Sequence, residues 1–124
     1  MAGKISFVDG GTVTTALGYT AGATYAGIKT YAEDKLDLGL LLSEGTTSVA
    51  GVYTTSTIRS PSVVLTQERV VEQGVRALVV NSGIANACVG AQGYTDAQEA
   101  TQNAASHLGL KVEEVVMGST GIIG

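Results

Sequence analysis

The sequence predicts an α/β fold that combines several strands, one clear helix and a last short strand. Three observations support this class. Strand signals occur at residues 36–42, 48–55 and 76–80, the first and last of them apolar runs. A helical pattern begins at Thr95. The apolar residues 115–117 follow that helix as a final strand, which leads into a glycine-rich turn.

The first half of the chain predicts strands and turns. Residues 5–8 form a short strand signal, residues 9–11 a turn, and residues 12–15 a β-branched run, so this start predicts a hairpin. Residues 36–42 are almost continuously apolar and predict a buried strand. A second buried strand is predicted at residues 48–55.

The second half alternates helix and strand signals. Residues 66–73 predict one or two helical turns before Gly74, and residues 76–80 a strand that enters a turn. Thr95 and Gln98 have the form of a capping box, and Gly109 suits the C-cap of that helix. Its apolar stripe comprises Ala97, Ala100, Ala104 and Leu108, whose small side chains predict close packing on a sheet.

Composition limits the classes of function. The 124 residues suit a single domain, residues 1–124, or part of one. The net charge is −4 and the seven Lys and Arg residues are scattered, which argues against nucleic-acid binding. No apolar run reaches the roughly 20 residues of a membrane span, and no secretory signal begins the chain, so we expect a cytoplasmic protein. Cys88 is the only cysteine, so it forms no internal disulfide, which agrees with a reducing compartment. We expect it to be a small buried residue.

The low share of charged residues predicts a partner polypeptide. Charged residues make up 15% of the chain, against a typical share of about 25%, while hydrophobic residues make up 44%. We therefore expect another polypeptide to cover part of the apolar surface.

The strongest candidate site is the glycine-rich turn at residues 118–124. Because glycine tolerates unusual backbone angles, the N–H groups of Thr120 and Gly121 can turn outward as a pair of donors. Such donors suit an oxygen that becomes negative in a transition state. The same turn is also compatible with a non-catalytic binding or assembly module that holds an anion such as phosphate.

Other polar residues are assigned structural roles. Asn81, Ser82, Gly83 and Asn86 favour a tight turn over direct substrate contact. His107 lies at the edge of the helix stripe, and no nucleophile is tied to it by spacing, so it is interpreted as a surface or boundary residue.

Several segments resemble one enzyme family. Residues 79–90 read VVNSGIANACVG and resemble the NSGxANAC segment of the ornithine acetyltransferase family, the bifunctional glutamate N-acetyltransferases of arginine biosynthesis. Residues 119–124 resemble its STGxIG segment. Residues 26–29, residues 50–54 and Pro61 fall where the family has AGIK, AGVFT and a proline. The match stays in register over most of the chain.

This resemblance implies a self-cleaving acyltransferase of mixed sheets packed with helices, completed by a β chain. The family cuts itself before a threonine, which becomes the nucleophile at the N-terminus of the β chain and carries an acetyl group from N-acetylornithine to glutamate. By the same resemblance, the Thr120 hydroxyl and the Gly121 N–H form the oxyanion hole. No cofactor is implied, although some members also accept acetyl-CoA as a donor, and the implied assembly is an α2β2 heterotetramer.

The chain departs from the family pattern in a few places. The segments with the nucleophilic threonine, the family's lysine and glutamate, and its C-terminal substrate-binding residues do not occur among these residues. The family's α chain continues past STGxIG, so residue 124 precedes the usual cleavage point, and we expect this sequence to match the N-terminal part of the α chain. Ile84 and Val89 differ from the residues common at those positions.

Overall fold

The computed structural model describes residues 5–29, 35–72 and 74–123. The elements in chain order are β1 (Tyr19–Thr24), β2 (Leu38–Ser43), α1 (Pro61–Glu72), β3 (Ala77–Asn81), α2 (Gln92–Leu108), a short 3₁₀ helix (Val112–Glu114) and β4 (Val115–Ser119). The prediction of an α/β fold is confirmed.

The strands form one mixed sheet in the order β1-β2-β3-β4. β1 pairs with β2 and β2 with β3 in antiparallel fashion, whereas β3 and β4 are parallel, with Asn81 opposite Ser119. The helix α2 makes the crossover that a parallel pair requires. As a result, β1, β3 and β4 all terminate at the same end of the sheet, where β2 begins at Leu38.

The helix α2 packs on one face of this sheet, whereas α1 lies along the edge strand β4, where Thr66 Oγ1 donates to Met117 O and accepts the Met117 N–H. The core consists of Ala77 and Val79 from β3, Val115 from β4, and Ala104 and Ala105 from α2, all of them buried. Alanine at the contact lets the α2 backbone approach the sheet closely, because its side chain is a single methyl group. The predicted alanine stripe is thus confirmed, with Ala97 and Ala104 buried along it.

Three predicted strands do not form, namely the two of the hairpin and the strand at residues 48–55. Residues 5–15 contain turns without a strand, and residues 48–55 do not pair with any described strand. A β-branched run forms a strand only where the edge of a sheet offers it hydrogen-bond partners. The edge strands here are β1 and β4, and neither pairs with these residues. The apolar run at 36–42 does form β2, from Leu38 to Ser43, but most of its residues are half-buried.

Both helices begin earlier than predicted. α1 begins at Pro61, whose fixed φ suits the first helical position, rather than at residue 66. α2 begins at Gln92, and its N-cap is Ala91, which makes no side-chain cap, so the predicted capping box at Thr95 is wrong. Tertiary contacts of the first turn outweigh the capping signal. The predicted C-cap is confirmed: Gly109 has a φ of 65° and its N–H donates to Ala105 O.

Cys88 also differs from expectation. The prediction of a buried cysteine is wrong, because the side chain is exposed and the residue has a φ of 58°. It lies in the loop between β3 and α2, where the nearby Asn86 makes four hydrogen bonds.

The first turn of α2 generates a prediction about packing. A methyl group on Gly93 would lie 2.5 Å from Asn86 Oδ1 and from Val89 Cγ2, and 2.9 Å from Pro61 Cγ. We expect Gly93→Ala to lower the free energy of unfolding by about 1–3 kcal/mol, because overpacking outweighs the gain in helix propensity. The thermal-unfolding midpoint measures this loss. The matched control is Gly45→Ala, which meets nothing within 4 Å; equal midpoints for the two variants would contradict the packing account.

Candidate functional site

Three loops meet at the end of the sheet where β1, β3 and β4 terminate. They are residues 25–29, residues 82–85 and residues 120–122. The second and third loops extend the parallel pairing beyond the strands, through a bridge between Ile84 and Ile122. This bridge joins the glycine-rich turn to the loop after β3 and so fixes the position of the turn.

The contact between Gly83 and Gly121 is the tightest feature of this edge. A Cβ on Gly121 would overlap the carbonyl group of Gly83 and would lie 2.6 Å from Ile84 N. Gly83 and Gly121 also have φ values of +109° and +136°, in the region that favours glycine. Hydrogen bonds close the contact, since Ile122 N–H donates to Gly83 O at 3.0 Å and Ala85 N–H to Ile122 O at 2.8 Å.

The two predicted site residues have different donor groups available. Thr120 N–H donates to Asn81 O at 3.1 Å, so the expectation of two outward backbone N–H groups is wrong for Thr120. Within the described ranges, the Thr120 hydroxyl and the Gly121 N–H have no hydrogen-bond partner, and both residues are exposed. The pair left available is one hydroxyl and one amide.

Asn86 ties the end of β4 to the first turns of both helices. Its N–H donates to Ser119 Oγ at 2.9 Å, and its carbonyl oxygen accepts a bond of 2.6 Å from Ser60 Oγ. Its side-chain Nδ2 donates to Gly93 O at 2.7 Å and to Ser62 Oγ at 3.2 Å. These four bonds hold the residue before Thr120 in place.

The turn role predicted for this segment is confirmed. Asn81 Nδ2 donates to Ile84 O at 2.8 Å, which closes the turn after β3. Ser82 N–H donates to Asp37 O at 2.8 Å, so the turn is also joined to the start of β2.

Asp37 is a functional candidate that the sequence analysis missed. Its side chain is 7% exposed, and its carboxylate accepts the Ala26 N–H at 2.6 Å and the Ile28 N–H at 2.8 Å. The hydrogen bond from Ala26 lowers the pKa of this carboxyl below 3.8, and burial opposes the shift. The available signal was an acidic residue inside an apolar run, between Leu36 and Leu38.

The arrangement can stabilise negative charge through the donors of Thr120 and Gly121. His107 is exposed, and its Nδ1 lies 2.8 Å from Asn103 O, which confirms its surface position. Among the described residues, no three His, Cys, Asp or Glu side chains cluster as metal ligands. None of the described helices is both long and apolar enough to span a bilayer. Ile122 pairs with Ile84 and so does not begin a helix directly at the turn, as it would in common phosphate sites.

The sequence is similar to a set of curated bacterial proteins. "Arginine biosynthesis bifunctional protein ArgJ" of Dehalococcoides mccartyi is 39% identical over 124 residues, which is all of this chain and 31% of that protein. The protein of the same name from Streptococcus thermophilus is 42% identical over 92% of this chain and 28% of its own length. The chain thus spans about 30% of the length of these relatives.

Two solved structures share the fold. The crystal structure of arginine biosynthesis bifunctional protein ArgJ from Bacillus halodurans has a TM-score of 0.87 and 36% identity, over 94% of this chain and 60% of that one. Ornithine acetyltransferase from Mycobacterium tuberculosis, solved in complex with ornithine, has a TM-score of 0.80 and 37% identity, over 90% and 60%. The ArgJ family model matches residues 20–124, and this chain belongs to the ArgJ family.

Proposed function

We propose that this chain supplies the oxyanion hole and part of the scaffold of a glutamate N-acetyltransferase that takes its acetyl group from N-acetylornithine. The observation that carries the proposal is the exposed pair formed by the Thr120 hydroxyl and the Gly121 N–H, neither of which has a hydrogen-bond partner among the residues that the structure describes. The names of the relatives point to arginine biosynthesis, and one structural neighbour is an ornithine acetyltransferase holding ornithine.

The chemistry has two half-reactions, and each passes through a tetrahedral intermediate whose oxyanion lies at the same site. A threonine hydroxyl from a second polypeptide attacks the acetyl carbonyl of N-acetylornithine, and the N-terminal amine of that polypeptide accepts the hydroxyl proton. The carbonyl oxygen becomes negative and accepts bonds from Thr120 and Gly121; the intermediate then expels ornithine, whose amine takes up the proton. Glutamate's amine attacks the acyl-threonine ester in the second half-reaction, and the threonine leaves as its hydroxyl.

The second polypeptide is assigned to the face of the sheet opposite α2, beyond the part where Val116 is already buried next to residues 47–50. Directly opposed residues of neighbouring strands share a face, so this face carries Ala21, Leu41, Leu78 and Val80. It forms an apolar groove of about 450 Å³, which Val13 also lines. We propose that the β chain of the same precursor covers this face and that two such pairs form an α2β2 heterotetramer.

No cofactor takes part in this scheme, because acyl transfer between two amines through a threonine ester needs none. Acetyl-CoA as a second donor and a cytoplasmic location stay predictions from the sequence.

The donor assignment predicts the effect of removing one hydroxyl. In the assembled enzyme, Thr120→Ala should lower kcat by roughly 10²-fold, because one preorganised donor to the oxyanion is lost. Steady-state rates of ornithine release from N-acetylornithine measure this effect. Since residue 120 is exposed and its main-chain bond to Asn81 does not involve the side chain, the thermal-unfolding midpoint should change little.

The matched control is Thr120→Ser, which keeps the hydroxyl and removes only a methyl group. It should retain most of the wild-type kcat. Equal kcat values for Thr120→Ala and Thr120→Ser would contradict the oxyanion assignment.

The partner assignment predicts a second polypeptide in the native material. Intact mass spectrometry and N-terminal sequencing of all chains that co-purify with this one should find a polypeptide that begins with threonine. After brief exposure to N-acetylornithine, that polypeptide should gain the mass of one acetyl group. A preparation that converts the substrate without any threonine-terminated chain would contradict the proposal.

A further inference from the structure

We infer that Asp37 is a positioning residue for the oxyanion hole: its carboxylate fixes the loop at residues 25–29 against Gly83, and Gly83 in turn fixes Gly121. This inference rests on the proposed function. It adds a residue that lies outside the glycine-rich turn and before β2 in the chain.

The first step is the anchoring of the loop. Asp37 joins the ends of three strands through its main chain, because its N–H donates to Thr24 O at 3.1 Å and its carbonyl accepts the Ser82 N–H at 2.8 Å. Its buried carboxylate accepts the N–H groups of Ala26 and Ile28 at 2.6 and 2.8 Å. One residue therefore sets the position of the loop relative to β1, β2 and the turn after β3.

The second step is the contact between the loop and Gly83. A Cβ on Gly83 would lie 2.9 Å from Lys29 Cβ and 3.7 Å from Ile28 Cγ2. The loop residues therefore pack directly on the Gly83 backbone, with no room for even a methyl group between them.

The third step leads from Gly83 to the donors. The Gly83 carbonyl lies so close to Gly121 that a Cβ on Gly121 would overlap it, and it accepts the Ile122 N–H at 3.0 Å. Gly83 thus lies between the loop that Asp37 holds and the turn that carries the Gly121 N–H. A shift of the loop frees Gly83 to move, and the Gly121 donor moves with it.

The nature of the anchor explains why a carboxylate is required. An ionised carboxylate offers two acceptor oxygens, and here each oxygen takes a different backbone N–H. Hydrogen bonds from Ala26, Ile28 and Lys29 all lower the pKa of Asp37, so the group stays ionised at neutral pH despite its burial. An asparagine of the same size offers one acceptor and turns an NH₂ group toward the other N–H.

The test compares Asp37→Asn with Thr120→Ala and with the double variant in the assembled enzyme. We expect Asp37→Asn to lower kcat by about 10-fold or more, since small misplacements of a catalytic group are costly. The KM for N-acetylornithine should change much less. If Asp37 acts through the oxyanion hole, the double variant should lose less kcat than the product of the two single losses, because both changes weaken binding of the same oxyanion.

The control removes a comparable hydrogen bond far from the site. Thr47 Oγ1 donates to Val75 O at 2.5 Å, before the start of β3 and at the other end of the sheet. Thr47→Val should lower the thermal-unfolding midpoint but leave kcat unchanged. A merely structural role for Asp37 would give the same pattern as this control.

The outcomes separate this inference from the proposed function. A lowered kcat for Thr120→Ala with an unchanged or additive effect of Asp37→Asn would overturn the role of Asp37 and leave the oxyanion assignment intact. No effect of Thr120→Ala would overturn both.

A second variant covers the case in which Asp37→Asn does not fold. Ile28→Ala leaves the carboxylate and its bonds in place and removes only the side chain that packs toward Gly83. It should lower kcat in the same non-additive way with Thr120→Ala, and an additive or absent effect would overturn the inference.

Discussion

The site depends on one constraint, the parallel pairing of β3 and β4 in the register that places Asn81 opposite Ser119. This register brings the turns after the two strands side by side, so that Gly83 and Gly121 meet backbone to backbone. A shift of one residue would turn every strand side chain to the other face and separate the two glycines. The buried residues of β3, β4 and α2 therefore stabilise the site as well as the fold.

Under the proposed function, the hydrogen bonds at this end of the sheet hold the donors of the turn in place before the reaction. Donors stabilise a developing charge best when they are already in place, because no reorganisation is then needed during the reaction. Asn86 holds the end of β4 from the side of the two helices, and Asp37 holds Gly83 from the side of β1 and β2. The Thr120 N–H donates to Asn81 O, and this leaves the Thr120 hydroxyl and the Gly121 N–H for a ligand.

Sequence patterns found what is local and missed what depends on distant neighbours. The alanine stripe, Gly109 and the turn at Asn81 are set by residues three or four apart, and they were predicted. No strand forms at residues 48–55, because neither edge strand of the described sheet pairs with them. The helix α2 begins before Thr95, because its first turn packs closely around Gly93. Neither the bond between Thr120 and Asn81 nor the contacts of Asp37 follow from spacing along the chain.

A crystal structure of the assembled enzyme with a tetrahedral mimic of the acetyl group tests the account most directly. We predict that the oxygen of the mimic lies about 2.7–3.1 Å from both the Thr120 Oγ and the Gly121 nitrogen, while Thr120 N–H stays bonded to Asn81 O. An oxygen that is bound elsewhere, or a Thr120 N–H released from Asn81 to bind it, would contradict the assignment of one hydroxyl and one amide as the oxyanion hole.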